Sequence, residues 1–326
     1  MRQIAHGAWL LGVGDRLASW TGGSCEHDAA GCVTRIVRGG TTLDLAWNGQ
    51  YQLVSVSTNG VFAESYAYDA LGRRVRTTNL EGMMRHVYDE SWQVIADVAE
   101  DGTVLRSYVW GEGVDRLLAV KVGDRTFAAL TDVQGTVWGY ADERGEVVAR
   151  WTYDAWGNVL SEAVAASASE LRAIRYRFQG REFSTATGLT NFRMRWYDSV
   201  TGRWLSKDPI GLSGGLNLYS WSDCDALNYV DPFGEIGAMV VGFGGYVAIV
   251  AVATAVAVVA VAVSYALSRG GYYGNAGERG WTARPSGTPN PGKKFRPTPD
   301  GGWVYKDRNG KKHKKPIGFD PNRRCQ

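Results

Sequence analysis

The sequence predicts a mainly β protein built of stacked antiparallel hairpins, and three observations support this fold class. First, aromatic markers recur about every twenty residues, at Trp47, Tyr68, Tyr88 and Tyr108, and a fixed period of this kind is typical of repeat proteins. Second, Asp-x-x-Gly turns separate stretches in which apolar and polar residues alternate, as they do in half-buried strands. Third, the 326 residues include 42 Gly and 38 aromatic side chains, which favour turns and strands.

Charge and cysteine content exclude several classes of protein. The 36 Lys and Arg nearly balance the 33 Asp and Glu, so the overall charge identifies no partner. The four cysteines, at positions 25, 32, 224 and 325, form no Cys-x-x-Cys pair, which excludes a zinc ribbon and a dense disulfide framework. The sequence indicates no cofactor and no metal site. Residues 4–14 are interrupted by His6 and three glycines, so no N-terminal signal peptide is seen.

The repeats occupy the first part of the chain. Residues 1–40 are predicted to be a degenerate N-terminal repeat segment, and residues 41–190 a β-sheet body of Tyr-Asp repeats. In 68–72 and 153–157 a Tyr-Asp pair leads into a turn, because Asp can hydrogen-bond its own backbone and Gly can adopt positive φ. A lone hairpin is marginal in water, so we expect the hairpins to share one sheet.

Residues 191–235 carry a dense series of motifs. The two carboxylates Asp208 and Asp231 lie 23 residues apart, each in a stiff turn made by the Pro and Gly that follow. If such carboxylates face each other, they share a proton, so that one acts as a base and the other as an acid. The pair could then activate water against a nearby peptide bond. Alternatively, both turns are structural, with Asp side chains that cap backbone N–H groups. The series reads Arg195-Trp196-Tyr197-Asp198, Gly202-Arg203-Trp204, Asp208-Pro209-Ile210-Gly211, Gly214-Gly215-Leu216-Asn217-Leu218-Tyr219 and Asp231-Pro232-Phe233-Gly234.

With the Tyr-Asp repeats at 68–75 and 153–159, this series resembles the Rhs (YD-repeat) protein family and its repeat-associated core, related to the C components of insecticidal toxin complexes. The resemblance covers about residues 40–235. It implies an antiparallel β-hairpin spiral or shell around a variable C-terminal toxin. It also implies an intramolecular aspartyl protease, with Asp208 and Asp231 as the catalytic dyad and Arg195 as the supporting cation. The implied cut lies beside Gly234 and Glu235, where the family often has Leu in place of Glu235.

Residues 236–268 contain no charged side chain and are predicted to hold a transmembrane-like α-helix. The stretch 246–267 is apolar throughout, and 22 helical residues span roughly 33 Å, close to the thickness of a hydrocarbon core. Two alternatives are a buried helix of the body and, for the Val-Ala alternation in 256–263, a buried strand.

Residues 269–326 are predicted to be a basic variable C-terminal module, either small and β-rich or disordered. This segment contains 14 Lys and Arg but 4 Asp and Glu, whereas the chain before it is acidic. Residues 301–312 suit a hairpin around an Asn-Gly turn. Basic residues interleaved with aromatic ones suit nucleic acid, while a basic segment next to an apolar run suits anionic lipid. No catalytic set is identified in this module.

Two functional hypotheses follow. The first is an Rhs-type polymorphic toxin or toxin carrier, in which self-cleavage after the second Asp-Pro-x-Gly releases a C-terminal effector. An immunity protein and a secretion machinery are its expected partners. The alternative is a non-enzymatic membrane-anchored surface protein whose repeats bind carbohydrate or a cell surface. Both hypotheses predict a bacterial protein that is membrane-associated, secreted or at the cell surface.

Overall fold

The computed structural model describes residues 9–221, 225–235, 237–243 and 246–251, together with three short strands at 296–297, 303–306 and 312–315. The chain divides into two compact units, Met1–Ser268 and Arg269–Gln326. The first unit contains the repeats and the motif series that follows them.

One antiparallel sheet of sixteen strands forms the body of the first unit, and its strands lie in sequence order. The sheet confirms the prediction of stacked antiparallel hairpins, and it also takes in residues 10–38, which the sequence assigned to a degenerate repeat segment. Its strands are β1 (Leu10–Leu11), β2 (Leu17–Trp20), β3 (Gly23–His27), β4 (Val33–Arg38), β5 (Thr41–Trp47), β6 (Leu53–Thr58), β7 (Val61–Tyr68), β8 (Arg74–Asn79), β9 (Gly82–Tyr88), β10 (Val94–Ala99), β11 (Val104–Trp110), β12 (Leu117–Val122), β13 (Arg125–Thr131), β14 (Val137–Ala141), β15 (Val147–Tyr153) and β16 (Val159–Val164).

A recurring hydrogen bond explains the aromatic period. In five pairs of adjacent strands, the aromatic side chain that ends one strand donates to the carbonyl that begins the strand before it. The fourth marker is therefore Trp110, two residues beyond the predicted Tyr108, whose hydroxyl instead donates to buried Asp97. The five bonds are Trp47 Nε1 to Val33 O (2.7 Å), Tyr68 OH to Leu53 O (2.8 Å), Tyr88 OH to Arg74 O (3.0 Å), Trp110 Nε1 to Val94 O (2.8 Å) and Tyr153 OH to Val137 O (2.9 Å).

An Asp or Asn begins each of six turns of the sheet, in four of them directly after an aromatic marker. Asp69 Oδ1 accepts the N–H groups of Leu71 and Arg73, both at 2.9 Å. The same pair of bonds recurs at Asp89, Asp132, Asp142 and Asp154, and Asn48 makes it with its amide oxygen. The fourth turn residue has positive φ and is usually Gly, but two turns place Tyr51 (φ 61°) and Trp92 (φ 64°) there.

Residues 165–221 and 225–235 cover the sheet, mainly through two hydrophobic clusters. One cluster joins strands β10–β15 to Leu171, Ile174 and Tyr176, and the other joins β4–β7 to Leu189, Trp196 and Leu205. This covering segment contains 3-10 helices at Ala166–Ala173, Phe178–Gly180 and Gly211–Ser213, and a four-stranded sheet of β17 (Glu182–Phe183), β18 (Thr190–Phe192), β19 (Arg195–Asp198) and β20 (Arg203–Trp204).

The transmembrane-like helix expected within 246–267 is not supported. A three-stranded antiparallel sheet is formed by β21 (Tyr229–Val230), β22 (Ala238–Phe243) and β23 (Tyr246–Ala251), so the apolar run begins as a strand. Its Val and Ile residues are β-branched and favour strands once a partner strand is present. Residues 252–267 lie outside the described part of the chain. Within that part, no helix has both the length and the apolar character that crossing a membrane requires.

In the second unit, the described residues form one small antiparallel sheet. Its strands are β24 (Arg296–Pro297), β25 (Trp303–Lys306) and β26 (Lys312–Lys315), in that order. Strands β25 and β26 pair from Trp303 opposite Lys315 to Lys306 opposite Lys312, so a hairpin is present, but its second strand begins at Lys312, where the predicted range of 301–312 ends. Of the two alternatives for this module, β-rich or disordered, the described residues show the β-rich one.

Candidate active site

Two Asp-Pro-x-Gly turns carry the candidate carboxylates. In the first turn, Asp208 Oδ1 accepts the N–H of Ile210 at 3.0 Å. In the second, Asp231 Oδ1 accepts the N–H groups of Gly234 at 2.8 Å and Glu235 at 3.0 Å. Pro restricts φ within each turn, and the terminal Gly supplies the positive φ, so the local sequence holds both carboxylates in place. Each carboxylate uses Oδ1 inside its own turn.

The other carboxylate oxygen of each Asp contacts Arg195, which lies on β19 with 2% of its side chain exposed. Arg195 Nη1 lies 2.9 Å from Asp208 Oδ2, and Nη2 lies 3.4 Å from Asp231 Oδ2. The guanidinium also stacks on Trp204, with Cζ 4.1 Å from the ring centroid. The structure therefore brings together all three residues of the predicted catalytic set, with one arginine between two acids.

The Gly234–Glu235 peptide bond lies directly against this set. Its carbonyl oxygen, on Gly234, accepts a hydrogen bond from Arg195 Nε. Its N–H, on Glu235, is one of the two that donate to Asp231 Oδ1. One peptide bond is thus held at its oxygen by a cation and at its nitrogen by a carboxylate, at the position where the sequence places the cut.

Burial dominates the electrostatics of the site. Burial raises the pKa of Asp208, and the nearby Asp231 adds to this effect while Arg195 opposes it. Burial also raises the pKa of Glu235, and both aspartates reinforce the shift. Burial lowers the pKa of Arg195, although three carboxylates favour its charged form. Asp208 is therefore easier to protonate than a carboxyl in water, which is the direction that a catalytic dyad of two carboxyls requires.

The Gly-Gly motif of the sequence allows the chain to pass close to Asp208. A Cβ atom on Gly214 would lie 2.4 Å from Asp208 Oδ2 and 3.2 Å from the Glu235 carbonyl oxygen. A Cβ atom on Gly234 would lie 2.7 Å from the Phe192 carbonyl oxygen. The distances of 2.4 Å and 2.7 Å are shorter than non-bonded atoms tolerate, so the backbone could not keep these positions with a larger residue in place of Gly214 or Gly234.

Sequence reasoning missed a second arginine at this site. Arg193 Nη1 donates to the Pro232 carbonyl oxygen, inside the second Asp-Pro-x-Gly turn. Arg193 also pairs with buried Asp115, through Nη2 to Oδ1 at 2.7 Å and Nη1 to Oδ2 at 3.0 Å. Trp92 contacts Phe233 of the same turn, with ring centroids 6.0 Å apart. Trp92 was detectable from the sequence, because it occupies a turn position that the repeat usually gives to Gly; Asp115 had no such signal.

The described residues contain no group of three or more His, Cys, Asp or Glu side chains that could hold a metal ion. The arrangement at Arg195 offers acid–base chemistry through its two carboxylates. It also offers a cation at a carbonyl oxygen, where negative charge develops during peptide hydrolysis.

A family model and several known proteins match this chain. The family model described as the teneurin YD-shell matches residues 6–221. Double-stranded DNA deaminase toxin A of Burkholderia cenocepacia is 32% identical over 262 residues, which cover 70% of this chain and 18% of that protein. Toxin protein Tse5 of Pseudomonas aeruginosa is 30% identical over 280 residues, which cover 74% of this chain and 21% of that protein. The tRNA nuclease WapA of Bacillus subtilis is 30% identical over 210 residues, covering 61% and 9%.

Among solved structures, the Photorhabdus luminescens Tc holotoxin pore aligns with a TM-score of 0.52 and 20% identity. The alignment covers 67% of this chain and 11% of that one, and the likeness concerns the fold. The chain thus spans between 9 and 21% of the length of the three relatives named above.

Proposed function

Because the chain belongs to the teneurin YD-shell family, we propose that it is part of an Rhs-type toxin that cuts itself between Gly234 and Glu235 and thereby releases the residues that follow. One observation carries the proposal: the Gly234–Glu235 peptide bond contacts two residues of the predicted catalytic set. Its carbonyl oxygen accepts a hydrogen bond from Arg195, and its N–H donates one to Asp231. The toxins among its relatives support the biological role. An immunity protein and a secretion machinery are the partners that this role implies.

In the proposed reaction, Asp231 is the base, and Asp208, the second residue of the dyad, holds Arg195 beside the carbonyl oxygen. Asp231 removes a proton from water, and the water oxygen bonds to the carbonyl carbon of Gly234. Arg195 Nε stabilises the negative charge that develops on the carbonyl oxygen. The C–N bond then breaks, and Asp231 returns its proton to the Glu235 nitrogen, to which it is already hydrogen-bonded at 3.0 Å. The overall reaction consumes one water and leaves Arg195 unchanged.

The direct test is the intact mass of the purified chain. We expect two species from the wild type and a single species near 35.6 kDa from Asp208→Asn and from Asp231→Asn. Asp142→Asn is the matched control, because Asp142 Oδ1 also accepts two backbone N–H groups in a turn, but that turn joins β14 and β15 of the sixteen-stranded sheet. It should be cut like the wild type. A single uncut species in all four samples would mean that the turns are purely structural and would refute the proposal.

A further inference from the structure

Unusual backbone conformations cluster around the second Asp-Pro-x-Gly turn. Seven non-glycine residues in the described part of the chain have positive φ, a conformation that costs free energy and concentrates at functional sites. Four of these seven contact residues 229–233 or hold a side chain that does. They are Trp92 (φ 64°), Asp115 (φ 56°), Gln179 (φ 51°) and Arg193 (φ 64°).

Arg193 provides the polar part of this contact. Its guanidinium reaches the Pro232 carbonyl and stacks on Phe233, with Cζ 4.8 Å from the ring centroid. Asp115 holds the guanidinium through two bonds, and Arg181 Nη1 binds the same carboxylate at 2.8 Å. Because Asp115 comes from the chain between β11 and β12, the sheet itself determines where Arg193 lies. The neighbouring N–H of Met194 donates to the Phe233 carbonyl at 3.1 Å.

Trp92 provides the apolar part and is unusual for its position. It is the fourth residue of the turn that begins at Asp89, where the turns at Asp69, Asp132, Asp142 and Asp154 have Gly. Its ring meets Phe233 edge to face, and its carbonyl lies 3.5 Å from Arg193 Nη2. Tyr51 makes the same substitution in an earlier turn, but it is 58% exposed. Trp92 therefore has an unfavourable φ in a repeat turn that contacts Phe233.

We propose that Trp92, Asp115 and Arg193 form a clamp that positions the second Asp-Pro-x-Gly turn for self-cleavage. This inference rests on the proposed function. The clamp grips Pro232 and Phe233, directly before Gly234, whose carbonyl must stay on Arg195. A displacement of about 1 Å at a reacting group costs roughly a hundredfold in rate. These three are positioning residues, because none of them touches the peptide bond that is cut.

The decisive variant is Trp92→Gly, because it removes the ring and at the same time relieves the positive φ. Gly adopts this φ without strain, so a slower reaction would not reflect a weakened turn. In timed cell-free synthesis, we expect its cleavage rate constant to fall at least tenfold. Tyr51→Gly likewise replaces an aromatic residue of positive φ with Gly, but at an exposed turn, so this variant should be cleaved at the wild-type rate. Trp92→Phe keeps a ring against Phe233 and should restore most of the rate.

A second measurement reports on the clamp without any cleavage. In an Asp208→Asn background, amide hydrogen exchange at Gly234 and Glu235 should rise at least tenfold with Trp92→Gly and stay unchanged with Tyr51→Gly. Unchanged cleavage and unchanged exchange in Trp92→Gly would overturn the clamp and leave the proposed function intact. A wild-type chain that is never cut would instead refute the proposed function, and the exchange data alone would then decide whether Trp92 holds the turn.

Discussion

At the scale of single residues, the sheet contains a second buried charged cluster, away from the candidate active site. Asp97 lies at its centre and receives hydrogen bonds from Arg175 Nη2 at 2.8 Å and from Tyr108 OH at 2.6 Å. His86 connects to it, with Nδ1 2.9 Å from Asp97 Oδ1 and Nε2 2.9 Å from Thr77 Oγ1. Breaking such a buried pair typically costs 3–5 kcal/mol, so this cluster holds the covering segment on the sheet.

The cluster predicts a pH-dependent stability. Burial and the Arg175 guanidinium keep the pKa of His86 below its ordinary value of 6.5. The folded chain therefore binds fewer protons than the unfolded chain, and the stability that neutral His86 contributes is lost as the pH falls below 6.5. The free energy of unfolding of the wild type minus that of His86→Gln should be largest at pH 7. It should shrink towards pH 5 by at most about 1.4 kcal/mol per pH unit.

Urea denaturation at pH 7, 6 and 5 measures this difference directly. The subtraction isolates His86, because carboxyls such as Asp208 titrate in both proteins. A difference that stays constant over this range would show that His86 keeps the same charge in the folded and unfolded chains.

At the scale of elements, the repeat turn is the unit from which the sheet is built. An aromatic residue ties the end of one strand to the start of the strand before it, and at four of the five markers the next residue, Asp or Asn, accepts two backbone N–H groups in the turn. The turn glycines differ, however, in what surrounds them. A Cβ on Gly157 would lie 2.6 Å from the Phe178 ring, whereas a Cβ on Gly145 would meet nothing within 4 Å.

This difference predicts that a Gly→Ala substitution lowers the free energy of unfolding by different amounts at Gly145 and Gly157. Gly145→Ala should lower the free energy of unfolding by roughly 1–2 kcal/mol, the cost of a left-handed conformation for a residue with a Cβ. Gly157→Ala adds the clash with buried Phe178 and should lose a further 1–3 kcal/mol or so. Chemical denaturation of the two variants in parallel gives the comparison. Equal losses would mean that Phe178 moves aside at no cost.

At the scale of the first unit, the sheet and the segment that covers it are mutually dependent. The buried side chains of β4–β7 pack on Leu189, Trp196 and Leu205, and those of β10–β15 pack on Leu171, Ile174 and Tyr176. Without these partners, the sheet would expose two large apolar surfaces. Such surfaces drive aggregation.

A truncation tests this dependence. A chain that ends at Val164 keeps all sixteen strands but loses the covering segment, so we expect it to aggregate or to bind a hydrophobic dye. A chain that ends at Glu235 keeps the covering segment and should remain monodisperse, with one cooperative thermal transition. Light scattering and calorimetry distinguish the two. A soluble, cooperatively folded chain ending at Val164 would show that the sheet is stable without its cover.

Sequence reasoning succeeded where the structural rule is local. The Tyr-Asp period predicts the hairpins, because each marker bonds within its own hairpin. The prediction of a helix was wrong at residues 246–251. An apolar run of this kind is compatible with a helix or a strand, and its pairing with β22 makes it a strand. Sequence reasoning also misplaced the fourth marker at Tyr108, because Tyr108 and Trp110 are both aromatic and only the bond to Val94 separates them.

The sequence by itself determined the antiparallel repeat sheet and the two turns that carry Asp208 and Asp231, because motifs of a few residues specify such turns. Arg195 was selected through the resemblance to the Rhs family. Only the tertiary structure decided that Arg195 reaches the Gly234 carbonyl and that Arg193, Asp115 and Trp92 grip the turn before it. These contacts join residues that lie between 39 positions (Arg195 and Gly234) and 141 positions (Trp92 and Phe233) apart. They exist only because the covering segment packs on the sheet, and no local pattern encodes which side chains meet when two distant surfaces close.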